Sequence, residues 1–156
     1  MIENLKERYL RNVEALDIPD EFPDIKDELR VFTVFDPATI NGVELTKEDK
    51  MILFQIGLPS EYKSAILFRS DLPSESNLRN QIGTTANGDP VCLKSDGSLT
   101  SYNHDREMEE CFVSSNIVCY LKTVIALMEE NKPNLKAIDR GLESHHINYW
   151  KSTGIA

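Results

Sequence analysis

Long hydrophobic runs are missing from this 156-residue chain. No apolar stretch approaches the roughly 18 residues a bilayer crossing requires, so no membrane-spanning helix is expected. Cysteine is scarce. Cys92, Cys111 and Cys119 are odd in number and lack close-pair spacing, which argues against a disulfide framework or a zinc site and leaves buried, reduced thiols. Histidine is equally sparse, and His145 and His146 are neighbours. On a helix they would point about 100° apart, whereas a zinc pair needs the common face that four-residue spacing provides. The chain also has no Walker loop, no Gly-X-Gly-X-X-Gly, no Gly-X-Ser-X-Gly and no His-Glu-X-X-His. No metal, no cofactor and no catalytic residue is therefore expected, and a small-molecule ligand is not expected either. Basic side chains are outnumbered 26 to 17, giving a net charge of −9. That balance repels a nucleic-acid polyphosphate and draws in a basic protein. The first residues, Met1 to Arg8, show no basic start followed by an apolar block, so the cytoplasm is the expected compartment.

What the chain does have is the balance of an ordinary globular domain, with 40% hydrophobic and 28% charged residues. One domain over 1–156 is expected. Its organising stretch runs from Leu78 to Asn103, where Asn87-Gly88 and Asp96-Gly97 cut an alternating sequence into three strands. These are Leu78 to Thr85, Pro90 to Lys94 and Leu99 to Asn103. Both dipeptides suit a type I′ hairpin, which needs positive φ at its two central residues. Pro90 lacks an amide hydrogen and fits the start of a strand. Val91 and Leu93 should share one face, with Cys92 on the other.

Around that meander the spacing predicts helices. Ile2, Leu5, Tyr9, Val13 and Leu16 line one side of a helix. The segment from Asp17 to Glu28, with six acids against Lys26 and two prolines, reads as a loop of net charge −5. Leu29 to Phe35 reads as a buried strand, with a helix as the alternative. Thr46 caps a helix through Met51-Ile52-Leu53-Phe54-Gln55-Ile56, and Gly57-Leu58-Pro59 stops it with a left-handed glycine. Tyr62, Ile66, Leu67 and Phe68 supply a short strand, and Cys111-Phe112-Val113 another. Ser114 or Ser115 is the candidate N-cap of a helix using Ile117, Leu121, Val124 or Ile125, and Met128. A last helix from Leu135 to Lys151 would use Ile138, Leu142, His146 and Tyr149 or Trp150. The expected fold is α+β: a twisted, mainly antiparallel sheet flanked by N- and C-terminal helices.

One collinear series carries a likeness to known proteins. It runs from the helix stop at Gly57-Leu58-Pro59 through Gly83, Asn87-Gly88-Asp89-Pro90-Val91-Cys92 and Tyr102-Asn103-His104-Asp105 to Phe112-Val113-Ser114-Ser115. In this order the chain resembles the immunity proteins of the SUKH superfamily from about Leu45 to Trp150, while residues 1–44 match little of that pattern. The resemblance implies a non-catalytic α+β domain that binds and neutralises a cognate toxin domain, or serves as a regulatory adaptor of the same fold.

An acidic inhibitor suits a basic, nuclease-type toxin, because opposite charges speed encounter. The candidate contact residues are Asp20, Glu21, Asp24, Asp27 and Glu28 in the first acidic segment, and Asp105, Glu107, Glu109 and Glu110 after the meander. A hydrolase would have to use His104 and Asp105. Adjacent residues on a strand face opposite sides, which makes structural hydrogen bonds the favoured role for His104.

Overall fold

The computed structural model describes residues 2–61, 66–71, 78–130, 132–143 and 150. Five strands form one antiparallel sheet in the order β3-β4-β5-β6-β7: Ile66–Phe68, Gln81–Thr85, Pro90–Leu93, Leu99–Asn103 and Glu109–Ser114. The meander is therefore present, with β6 at its predicted bounds and β5 beginning at Pro90. The first of its strands starts later than Leu78 for a local reason. Asn80 turns to φ +57, and its side-chain amide pairs reciprocally with the backbone of Asn41 at 2.9 and 2.8 Å.

The two hairpin turns differ from the type I′ expectation. Gly88 N–H donates to Thr85 O and Gly97 N–H to Lys94 O, each at 2.9 Å. Only the glycines have positive φ, +86 and +87; Asn87 and Asp96 do not. Each loop is three residues long, a type I turn followed by a left-handed glycine, which matches strand twist as well as the two-residue form does. Asp96 secures the second turn by accepting from Ser98 N and Oγ at 2.9 and 2.6 Å, bonds that hold its carboxyl below the usual range. Gly88→Val is expected to cost about 1–3 kcal/mol from backbone conformation alone, since a Cβ there meets nothing within 4 Å. Gly97→Val should cost more, because its Cβ would lie 2.5 Å from Glu44 O. Urea melts yielding equal losses for the two variants would contradict this packing.

Helix α1, Glu3–Glu14, buries Leu5, Tyr9 and Val13 as the spacing predicts. It packs on α4, Ile117–Glu129, and the Glu129 carboxylate accepts from Arg8 and from Asn12 at 2.5 and 2.8 Å. Those two bonds hold Glu129 below the ordinary glutamate range. The N-cap of α4 is Asn116, whose side chain accepts from Cys119 N at 2.8 Å. Ser114 and Ser115, the predicted caps, are committed elsewhere: their hydroxyls donate to Asn116 O and Asp139. Ile117, Leu121, Val124 and Ile125 join Val91, Leu93, Leu99 and Val113 in one core.

Several local readings are corrected. The acidic segment is not loop throughout, because α2 spans Asp24–Leu29. Pro23 stands just before it, where a missing N–H costs nothing, and Asp24 and Asp27 meet the positive helix end. Of Leu29 to Phe35 only Phe32–Thr33, β1, forms a ladder, and Val31 and Val34 are 53% and 45% exposed. Thr46 and Asp49 form a capping box on α3, Lys47–Met51, which continues as a π-helical turn, Ile52–Ile56, closed by Gly57 N–H donating to Ile52 O at 2.6 Å. Gly57 has φ +93 and ψ 163, so the chain does not fold back in a left-handed cap but runs straight on as β2, Leu58–Pro59, paired with β1. Ser60 O then accepts from Phe68 N at 2.8 Å, and Glu61 bridges Leu67, joining the two-stranded sheet to the outer edge of β3. Of the predicted last helix, α5 covers Leu135–Ile138. His145, His146 and Tyr149, with Tyr62 of the earlier strand, lie outside the described residues, whereas Trp150 is buried. The whole is an α+β fold with a mostly antiparallel sheet and helices toward both ends.

Candidate functional site

The first acidic segment is laid out for contact. Asp20, Glu21, Asp24, Asp27 and Glu28 are all exposed, as is Asp17 before them. The nearby cations are already engaged: Arg30 pairs with Asp27 at 2.6 Å and with Glu14, and Lys26 donates to Glu14 O at 3.0 Å. Asp20, Glu21, Asp24 and Glu28 make no ion pair among the described residues. Phe22 stands just before α2, and Ile25 and Leu29 lie four residues apart along one side of it. Leu29 turns into the core, while Phe22 is 53% exposed and Ile25 37%. Charge patterning finds the acids but misses these two. Their signal is two large apolar side chains, Phe22 and Ile25, set inside a run of six acids.

The second segment is a tight turn between β6 and β7. Asn103 caps a 3₁₀ turn over His104–Arg106, and Glu107 and Met108 follow at φ +53 and +62. A left-handed conformation costs a non-glycine residue roughly 1–2 kcal/mol, and Met108 N–H donating to Asn103 O at 2.9 Å helps hold it. Asp105, Glu107, Glu109 and Glu110 are exposed, and so is Met108 at 40%. Glu110 pairs with Lys94 at 2.9 Å.

His104 is a latch between turns. Its backbone N–H donates to Asp89 Oδ1 at 3.1 Å, and its Nδ1 meets the same oxygen, tying the β4–β5 turn to the β6–β7 turn. Its Nε2 lies 3.3 Å from Asp105 Oδ1. The expectation that His104 and Asp105 face apart is thus corrected, because they sit on a 3₁₀ turn rather than a strand. A carboxylate oxygen thus lies near each ring nitrogen. Burial pushes the Cys92 thiol up to about 11 and also raises Cys119, so both are neutral thiols. Among the described residues no group of three or more His, Cys, Asp or Glu side chains is placed to hold a metal.

No hydrogen bond or ion pair among the described residues joins the two acidic segments. The first leads into β1 and through β2 to the outer edge of β3, while the second joins β6 to β7 at the opposite edge. Four strand spacings, about 19 Å, separate those edges. The chain matches no protein-family model, no curated protein and no solved structure. No described helix is long and apolar enough to cross a membrane.

Proposed function

We propose that this chain is an immunity protein of the SUKH type, acting in the cytoplasm without catalysis by binding and neutralising a basic, nuclease-type toxin domain. The observation that carries the reading is the exposed pair Phe22 and Ile25 set among Asp20, Glu21, Asp24 and Glu28. Large exposed apolar side chains ringed by charge are how protein interfaces are built: a desolvated anchor supplies affinity and a charged rim supplies steering. The rim here is negative, so the partner surface is positive. A toxin that cuts nucleic acid needs such a surface for its substrate, and an acidic protein seated there displaces it.

Co-expression of the toxin domain encoded beside this chain's gene is expected to kill cells lacking this protein and to spare those making it. Phe22→Ala should weaken the complex by about 2 kcal/mol, some thirtyfold, mainly through faster dissociation. Neutralising Asp20, Glu21, Asp24 and Glu28 should instead slow association and flatten its salt dependence. Equal killing with and without this protein refutes the reading for that pair. An adaptor would retain regulatory proteins and protect against no toxin.

A further inference from the structure

A second feature lies on the sheet face turned away from α4. Register pairs Cys92 with Thr100, which places Cys92, Lys94, Thr100 and Tyr102 on that face, opposite Val91 and Leu93. There the strands, the segment around Asn80 and the loop at Asn41 enclose a hollow of about 320 Å³. This is at the small end of the range for ligand sites. Leu78, Cys92 and Tyr102 supply its apolar walls, and Arg79 and Lys94 supply two cations in a chain of net charge −9. The reciprocal Asn41–Asn80 amide pair fixes the rim and holds Asn80 at φ +57, so the backbone beside Arg79 is set in advance. Arg79 itself is exposed and makes no ion pair or hydrogen bond among the described residues. Lys94 already takes one carboxylate, that of Glu110 at 2.9 Å. Asp96 is the other acid acting on Lys94.

We propose that this hollow binds a small planar carboxylate with a compact apolar body. A guanidinium is a planar fork that matches a carboxylate through two parallel hydrogen bonds, and Arg79 is such a fork that holds no carboxylate among the described residues. The Tyr102 ring and the Leu78 side chain give a flat apolar body a surface to lie on, with the neutral Cys92 thiol in the wall. Lys94 adds a second positive charge that Glu110 partly satisfies, so Glu110 competes with the incoming carboxylate. This site is separate from the acidic segment at Phe22 and does not depend on the toxin reading.

The test is a backbone-amide NMR titration of the full chain with benzoate, and with phosphate and benzylammonium as comparisons. Benzoate is expected to give saturable shifts at Arg79, Asn80, Lys94 and Tyr102 in the millimolar range, with phosphate weaker and benzylammonium silent. Arg79→Gln, an exposed change that removes no ion pair or hydrogen bond among the described residues, should weaken benzoate about tenfold or more, the worth of a charge-assisted pair. Lys122→Gln on the exposed side of α4 should leave it unchanged. Glu110→Gln should strengthen benzoate severalfold by freeing Lys94. Benzylammonium binding as well as benzoate would overturn the carboxylate assignment, and phosphate binding as well as benzoate would overturn the apolar body. No saturable shift with benzoate, or full affinity in Arg79→Gln, would overturn the site.

Discussion

Trp150→Ala is expected to cost about 3–5 kcal/mol, the largest loss from any single truncation outside the sheet. The side chain is 1% exposed and heads the fully buried side chains in volume. Its ring lies 5.6 Å from Tyr120 of α4, which in turn meets Phe68 of β3 edge-on at 5.3 Å, so the indole extends an aromatic cluster that joins α4 to β3. Its Nε1–H donates to Val113 O at 3.0 Å. That bond answers a defect in the sheet. Pairing of β6 with β7 jumps from Leu99↔Ser114 to Thr100↔Phe112, so Val113 has no partner across the ladder. The bulge frees its carbonyl, and the indole satisfies it. Trp150→Phe should retain most of the buried area and lose about 1–2 kcal/mol for the orphaned carbonyl. Urea unfolding followed by far-UV circular dichroism measures both, since the substitutions remove the chain's single tryptophan. A loss below about 1 kcal/mol in Trp150→Ala, the level of an ordinary surface change, would show that residue 150 does not close this core.

Asp139→Ala is expected to cost about 2–4 kcal/mol. Its carboxylate is 1% exposed and accepts three hydrogen bonds: from Ser115 N at 2.7 Å, Ser115 Oγ at 2.5 Å and Gly141 N at 3.0 Å. Truncation leaves two backbone N–H groups and a hydroxyl without acceptors at the entry to α4. The energy arises less from bonds lost than from donors left dry. Ser115→Ala removes one donor and keeps the other two bonds, so about 1 kcal/mol is expected. Asp139→Asn should fall between them, because the amide turns an N–H₂ toward a donor. Thermal melts that rank Asp139→Ala no worse than Ser115→Ala would defeat this account. Asp49 forms a comparable junction, accepting from Thr46 N in its own capping box and from Val118 N at 3.1 Å in α4.

The sequence by itself determined the elements whose cause is local. The faces of α1 and α4 follow from three- and four-residue apolar spacing, β6 from alternation, and the places of both hairpins from Gly88 and Gly97. Local chemistry also located the acids, since charged side chains without a partner in reach stay at the surface. It did not determine the turn type, because a glycine after Asn or Asp serves two-residue and three-residue loops alike and strand register chooses between them. Nor did it place α2 within the acidic segment, where burial of Leu29 adds to a weak local preference. What only the tertiary structure decided rests on partners distant in the chain: Asn41 with Asn80, Asp49 with Val118, and Trp150 with Val113, separated by 39, 69 and 37 residues. The tertiary structure also gathered Arg79, Lys94 and Tyr102 around one hollow. Strand order and the packing of loops bring such groups together, and no spacing within a short window encodes either.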